Sequence, residues 1–363
     1  MIKAFFTKDQ HWLDQWDNFL QNSERGLYNQ LSDWIKAYQV YGFDHVFYLI
    51  VKDETVIGGC GIVIAKLGFF KFLCVPSGPV IDENHEDQIE PCLNAILNYA
   101  KKINGCYFQI NMPFVKEGGN FHNYCIHSLP ESSSFYSGAL GTKFKYVIPL
   151  YGMRLIDLTS KNLDEVIQNF GSNHRRNLKK TQHYDFQFKF VSTEAEIAAA
   201  YDCFVKNALQ KNYPLRSYES MKETLLDYLA KGFAKIGVCL YQDKIVGAIY
   251  VMVCGKRLTY INGGVVQEFQ ELPISFFMHH QIMKFAINKE YKSYDISVGG
   301  SAGVVRFKEG FGSQLYLYEN TRHWILKPFY FSIYSLVEKR LKNHKQAIAK
   351  VLVFFKKIFK NRK

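Results

Sequence analysis

The sequence predicts an α/β (α+β) fold in which one unit of mixed, twisted sheet is used twice in tandem, followed by a basic C-terminal helix. Three observations lead there. Two long apolar runs are each cut by a polar turn, Lys52-Asp53-Glu54 in the first half and Gln242-Asp243-Lys244 in the second, as two hairpins would be. Each hairpin is followed by a third strand-like run, a helical pattern and a short apolar run, in the same order and at similar spacing. The last stretch, 327–363, carries eleven Lys and Arg against one acid, Glu338, and its apolar residues recur at helical spacing.

At 363 residues the chain has room for about two domains. A hydrophobic fraction of 48% with 21% charged residues excludes a disordered chain. The 45 Lys and Arg against 33 Asp and Glu leave a net charge of +12, which favours anionic partners: nucleic acid, nucleotide phosphates or acidic lipid. None of the eight cysteines forms C-x-x-C and most sit in apolar runs, so buried, reduced thiols are expected. No apolar run of about 18 residues exists to span a bilayer. The start, MIKAFFTKDQ, lacks an apolar stretch of signal-peptide length. A cytoplasmic body is therefore expected, with the basic tail a candidate for the inner face of the cell membrane.

Two short helical patterns open the chain: Trp12, Trp16, Phe19 and Leu20, then Leu27, Leu31, Trp34 and Ile35. Strands follow at 45–51, 56–65 and 69–75. Next come a helix over 86–103, with Ile89, Leu93, Ile96, Leu97 and Ala100 on its apolar face, and a strand at 106–111. Residues 112–143 are polar and rich in Gly and Ser, which suggests a long loop or boundary. The second half reads as a strand at 146–158, a helix over 162–181 with a basic end, a strand at 186–191, helices at 194–212 and 218–231, strands at 236–241, 245–254 and 256–266, a helix at 276–288 and a strand at 291–298. The expected domains are 1–150, 151–326 and the tail helix 327–363, whose apolar face is Ile333, Val337, Leu341, Ile348, Leu352, Phe355 and Phe359.

The candidate site is 294–320, YDISVGGSAGVVRFKEGFGSQLYLYEN. It reads as a β-hairpin: one strand, a turn through Gly299-Gly300 that presents Arg306-Phe307-Lys308, and a second strand with Leu315 and Leu317 alternating against Tyr316 and Tyr318. Glycines permit close approach of a ligand to the backbone, and the cations suit phosphate or a developing oxyanion.

The duplicated order of elements resembles the GNAT acyltransferase fold, giving tandem GNAT-like domains, and in its double form resembles the FemABX peptidyl-bridge aminoacyltransferases and related FemAB-like domains. Three stretches carry the likeness. In 155–180, Asp157-Leu158 precedes a helix ending in Arg175-Arg176-Asn177-Leu178-Lys179-Lys180. In 259–264, Asn262 precedes Gly263-Gly264 and the 276–288 helix. In 291–312, a strand with Asp295 leads through a glycine turn to R-F-K-E-G-F-G. The motifs cover 154–320; the first half matches by architecture.

The resemblance implies transfer of an activated acyl group to a primary amine, without a metal or a resident cofactor. The donor would be a co-substrate, aminoacyl-tRNA or acyl-CoA, and the acceptor a phosphate-bearing cell-envelope precursor such as a peptidoglycan peptide. Lys308 falls at the family's reaction centre. Arg306, Phe307, Gly299, Gly300 and Asn262 lie in the same motifs as candidate substrate contacts, and Arg175, Arg176 or Lys179 would meet substrate phosphate. Chemically, the amine must lose its proton before attack, and the carbonyl then becomes an oxyanion that Lys308 can stabilise. Asp295 is a candidate base or a structural residue of its strand. The glycine loop with which GNAT enzymes cradle the CoA pyrophosphate is missing from QEFQELPIS at 267–275, which weakens the CoA reading. Two alternatives stand beside the aminoacyl-tRNA reading: an acyl-CoA-dependent N-acetyltransferase acting on a surface polysaccharide or lipid amine, and a non-catalytic, basic, membrane-peripheral binding protein.

Overall fold

The computed structural model describes residues 1–341 apart from 69, 116–120, 122–123, 125, 127–133, 148 and 214. In chain order its strands are β1 (Ile2–Thr7), β2 (Asp44–Lys52), β3 (Thr55–Leu67), β4 (Phe70–Val75), β5 (Val80–Ile81), β6 (Tyr107–Ile110), β7 (Ala139–Leu140), β8 (Gly152–Asp157), β9 (Gln187–Phe190), β10 (Ala234–Tyr241), β11 (Lys244–Cys254), β12 (Arg257–Val265), β13 (Ser293–Asp295), β14 (Gln314–Leu317) and β15 (Arg322–Ile325). The helices are α1 (Gln10–Asn22), α2 (Ser32–Lys36), α3 (Ile89–Lys102), α4 (Leu163–Gln168), α5 (Ser172–Lys180), α6 (Glu194–Gln210), α7 (Tyr218–Ala230), α8 (Ile274–Asn288), α9 (Ala302–Glu309) and α10 (Pro328–Leu341).

Two mixed sheets result, ordered β1-β2-β3-β4-β6-β15-β7, with β5 on β3, and β14-β8-β13-β12-β11-β10-β9. The halves superimpose by role. β2 and β3 form an antiparallel hairpin, β4 is antiparallel to β3, and α3 leads to β6, which runs parallel to β4. Likewise β10 and β11 form a hairpin, β12 is antiparallel to β11, and α8 leads to β13, parallel to β12. The tandem α/β duplication read from the sequence is thus the architecture. One core cluster spans both halves, with Leu13, Trp16 and Leu20 of α1 packed with Phe204 of α6 and Met252 of β11. Arg257 crosses the same boundary and donates to Gly26 O at 2.7 Å.

Several expectations are corrected. Residues 294–320 are not a hairpin. β13 and β14 flank β8 on opposite sides, both antiparallel to it, and α9 joins them as a crossover. The glycines that suggested a turn lie before the helix and in its first turn, whereas Val304 to Glu309 lacks any helix breaker. The 162–181 helix is two: α4 ends at Gln168 and α5 starts at Ser172 behind the N-cap Gly171. The strand expected at 291–298 stops at Asp295. β15 returns to the first sheet and pairs with β6, so the chain after 321 completes the first half's sheet.

In α10 the buried residues are Phe331, stacked on Tyr107, and Tyr334, packed at a tilt against Phe72, while Ile333 and Val337 are exposed. The tail face expected to be apolar therefore turns outward in this stretch, and the part beyond Leu341 lies outside the described residues. Seven cysteines are free and buried; Cys125 lies outside the described residues. Among the described residues no helix is long and apolar enough to cross a membrane, and no cluster of metal-ligating side chains occurs.

Candidate active site

The site forms where the second sheet opens. β12 pairs with β13 only through Arg257–Thr259 against Ser293–Asp295, so from Tyr260 onward the two strands diverge. On the other side, β12 continues along β11 across a bulge near Tyr250. The bulge turns both Ile261 and Asn262 toward α6, while Tyr260 faces α8 and α9.

Lys308 occupies the opening. It is buried, and its Nζ donates to Ser297 O at 3.1 Å, Ser297 Oγ at 2.7 Å and Gly299 O at 2.6 Å, with the Tyr260 ring 5.8 Å away. Three acceptors match the three N–H bonds of an ammonium. Burial opposes them and draws the amine down to about 8, with Asp295 favouring the charge and Arg154 disfavouring it. Lys308 thus does not point into bulk water. It is a charged group held at the edge of an opened sheet.

Asp295 holds the turn that Lys308 reads. Its Oδ1 accepts from the backbone N–H of Arg154 and of Ser297, both at 2.9 Å. Ser297 sits at φ +61, a left-handed conformation that a non-glycine residue adopts at a cost of about 1–3 kcal/mol and that is commonly found at functional sites. The Asp295 bonds and the Lys308 ammonium are what hold it there. Burial raises the Asp295 pKa while Arg257 and the two backbone N–H groups oppose the rise.

Behind Lys308, α8 supplies His279, whose Nδ1 lies 2.8 Å from Tyr294 OH, with the Tyr260 ring centroid 5.0 Å from its own. Burial and the Lys308 charge hold this imidazole neutral, down to about 3. The ring therefore gives the site a polar, uncharged wall.

α9 is seated by α5. The His174 ring donates from Nε2 to Phe307 O at 2.7 Å, and Gly171 N–H donates to Gly310 O at 2.8 Å. A Cβ on Gly310 would lie 1.9 Å from the His174 ring, and Gly312 takes φ +69 with Asn169 O 2.5 Å from where a Cβ would stand. The Gly-Phe-Gly sequence is thus the footprint of α9 on α4 and α5, with Phe311 buried against Phe170 and His174.

The other expected residues fall as follows. Gly299 contributes its carbonyl to Lys308, and both Gly299 and Gly300 are exposed. Phe307 packs on His174, Phe276 and Phe311, while Arg306 is exposed. Asn262 is not brought to Lys308: its Oδ1 accepts from Gly263 N–H at 2.8 Å and from Tyr213 OH at 3.2 Å. Arg175 folds back to cap the end of α4, donating to Gln168 O and Phe170 O. Arg176, bonded to Asn173 Oδ1, and Lys179 remain exposed on α5. Sequence reading missed Tyr260, Ser297, His174, His279 and Arg154. Only the position of His174 inside the basic run, one residue before Arg175-Arg176, offered a signal.

Comparison with known proteins agrees with this fold. A family described as acetyltransferase (GNAT) domain matches residues 168–309. The aminoacyltransferase FemA of Staphylococcus epidermidis is 21% identical over 379 residues, covering 82% of this chain and 90% of its own length. Among solved structures, FemX superimposes with a TM-score of 0.73 at 14% identity, covering 93% of this chain and 100% of its own. L-PGS from Bacillus licheniformis gives a TM-score of 0.53 at 13% identity, over 86% and 91%. A duplicated GNAT-type sheet, opened beside the strand before its central helix, defines the class: the protein is an acyltransferase. Within that class it is FemABX-like, in fold and over most of its length in sequence.

Proposed function

We propose that the protein transfers an aminoacyl group from aminoacyl-tRNA to a primary amine of a cell-envelope precursor, a peptidoglycan peptide being the acceptor that the FemA likeness favours. The observation that carries this reading is Lys308, an ammonium with three acceptors buried at the divergence of β12 and β13. The neutral acceptor amine attacks the ester carbonyl. The new C–N bond forms, the ester C–O bond breaks, and the leaving ribose oxygen takes up a proton. Because its N–H bonds are already engaged, Lys308 acts on the oxyanion through its charge in a low-dielectric site and by fixing the Ser297–Gly299 turn. Asp295 serves as the buttress of that turn.

Two observations bear on the donor. The start of α8, where a pyrophosphate would dock, has no glycine and carries Glu268 and Glu271 just before it. The exposed Arg176 and Lys179 on α5, beside α9, suit a phosphate backbone. Incubating the purified protein with charged tRNA or acyl-CoA, over muramyl-peptide and amino-sugar acceptors, tests the proposal. Deacylation of tRNA with product formation is expected. Turnover of acyl-CoA alone would favour the N-acetyltransferase alternative, and consumption of neither donor would leave the non-catalytic one.

The protein is further proposed to work against an anionic membrane. Phe329, Tyr330, Ile333, Leu336 and Val337 form an exposed apolar row on α10, opposite the buried Phe331 and Tyr334. The sequence that follows, from 342 on, contains eight Lys and Arg and no acid. An exposed apolar helix face next to so dense a positive charge suits acidic headgroups over acyl chains.

A further inference from the structure

We infer that Arg154 is the anchor of a second, carboxylate-binding subsite beneath α9, beside Lys308. Arg154 is the third residue of β8. Its backbone N–H donates to Asp295 Oδ1, and its carbonyl accepts from Ile296 N–H at 2.9 Å, so it lies directly across from the turn that Lys308 grips. Its side chain is more than nine-tenths buried, at 6% exposure. A guanidinium has five N–H donors. Here Nε has no hydrogen-bond partner among the described residues, and the one carboxylate in contact is Glu309, 3.4 Å from Nη2 and 54% exposed. A buried guanidinium so thinly satisfied differs from its neighbour Arg257, which donates to Gly26 O and lies over the Tyr124 ring.

The local charge points the same way. Arg257 and Lys308 bear on one buried carboxylate, Asp295, while the buried Arg154 lies close enough to Lys308 to oppose its charge, and burying cations in excess of anions is unfavourable unless an anion joins them. Glu309 is a loose, exposed occupant of the place an anion would take. A ligand carboxylate can exchange with it one for one, without changing the charge under α9, and can engage the planar guanidinium through two parallel bonds, a geometry that the long single contact to Glu309 lacks. The subsite therefore takes a carboxylate on the acceptor or on the transferred group. That assignment of the ligand rests on the acyl-transfer reading; the presence of the subsite does not.

The test needs no turnover, so its failure and the failure of the acyl-transfer reading are separable. The Arg154 Nε–H resonance of the 15N-labelled full-length protein, assigned with Arg154→Lys, is titrated with sodium acetate at constant ionic strength, with chloride and inorganic phosphate as parallel arms. Acetate is expected to shift the resonance saturably. In Glu309→Gln, a surface change that leaves the fold intact, half-saturation should come at about two- to fivefold lower acetate, the scale of the exposed ion pair removed. An Arg154 signal unmoved by acetate in both proteins overturns the proposal. So does an equal response to chloride, and so does saturation by phosphate at lower concentration than by acetate, which would make the subsite a phosphate site.

Discussion

Replacing Lys308 by Met keeps the length of the side chain and removes its charge. In the folded protein the amine titrates at about 8, against 10.5 for an unperturbed lysine, because burial disfavours the ammonium. Between these values the unfolded chain binds the proton and the folded one does not, so stability rises as pH climbs through this window. The gap of 2.5 units corresponds to about 3 kcal/mol, gained between roughly pH 8 and pH 10.5 and absent below pH 8. Urea denaturation of the wild type and of Lys308→Met, at half-unit steps from pH 7 to 10.5, isolates this contribution as the difference between the two proteins, since every other group titrates in both. The difference should move by about 3 kcal/mol in favour of the wild type as pH rises. In turnover, with kcat/KM expressed per neutral acceptor amine, a cationic role predicts a fall above about pH 8 and that this alkaline limb vanishes in Lys308→Arg, which stays charged. A stability difference flat across the range would refute the lowered pKa, and a kcat/KM per neutral amine that does not fall from pH 8 to 9 with Lys308 intact would refute the cationic role.

Gly310→Ala should cost about 1–3 kcal/mol in denaturation, since its methyl would stand 1.9 Å from the His174 ring, and Gly310→Ala with His174→Ala should recover part of that loss. Tyr294→Phe removes the hydrogen bond to His279 from a fully buried site and is expected to lower stability by about 1–3 kcal/mol in the same assay. Asp17, whose carboxylate accepts from the N–H and hydroxyl of Ser32, is raised by burial to about 6; the folded protein then binds its proton more tightly than the unfolded chain, so stability falls as pH rises from about 4 to 6, a trend that Asp17→Asn should abolish. Sedimentation with anionic vesicles should be strong at low salt and weak at high salt, and should be reduced by Leu336→Ser with Phe329→Ser. Truncation after Leu341, which spares the buried Phe331 and Tyr334, should reduce it as well, whereas binding unchanged by both alterations would discard the membrane surface.

The amino-acid sequence by itself determined the repeated unit, because its signals are local. Strands such as 45–51 and 245–254 declare themselves by continuous apolar and β-branched residues, hairpins by their polar turns, and α3 by its 3.6-residue stripe. It also singled out Lys308, through a motif rather than through any property of lysine. Tertiary structure decided what the motif does. Gly299, Gly300 and Gly303 give a turn signal in isolation, yet the Val304–Glu309 stretch becomes helix because Phe307, Gly310 and Phe311 are gripped by α5, an element more than 120 residues away in the chain. Arg175 and Asn262 belong to the right segments, but a helix end and a strand bulge turn them away from the site. Arg154 and Tyr260 carry no local mark at all: they matter because β8 was inserted between β13 and β14, and because β12 parts from β13 at residue 260. Periodicity reports which face of an element is buried; it holds no information on which distant element covers that face, and the charge state of Lys308 depends on that cover.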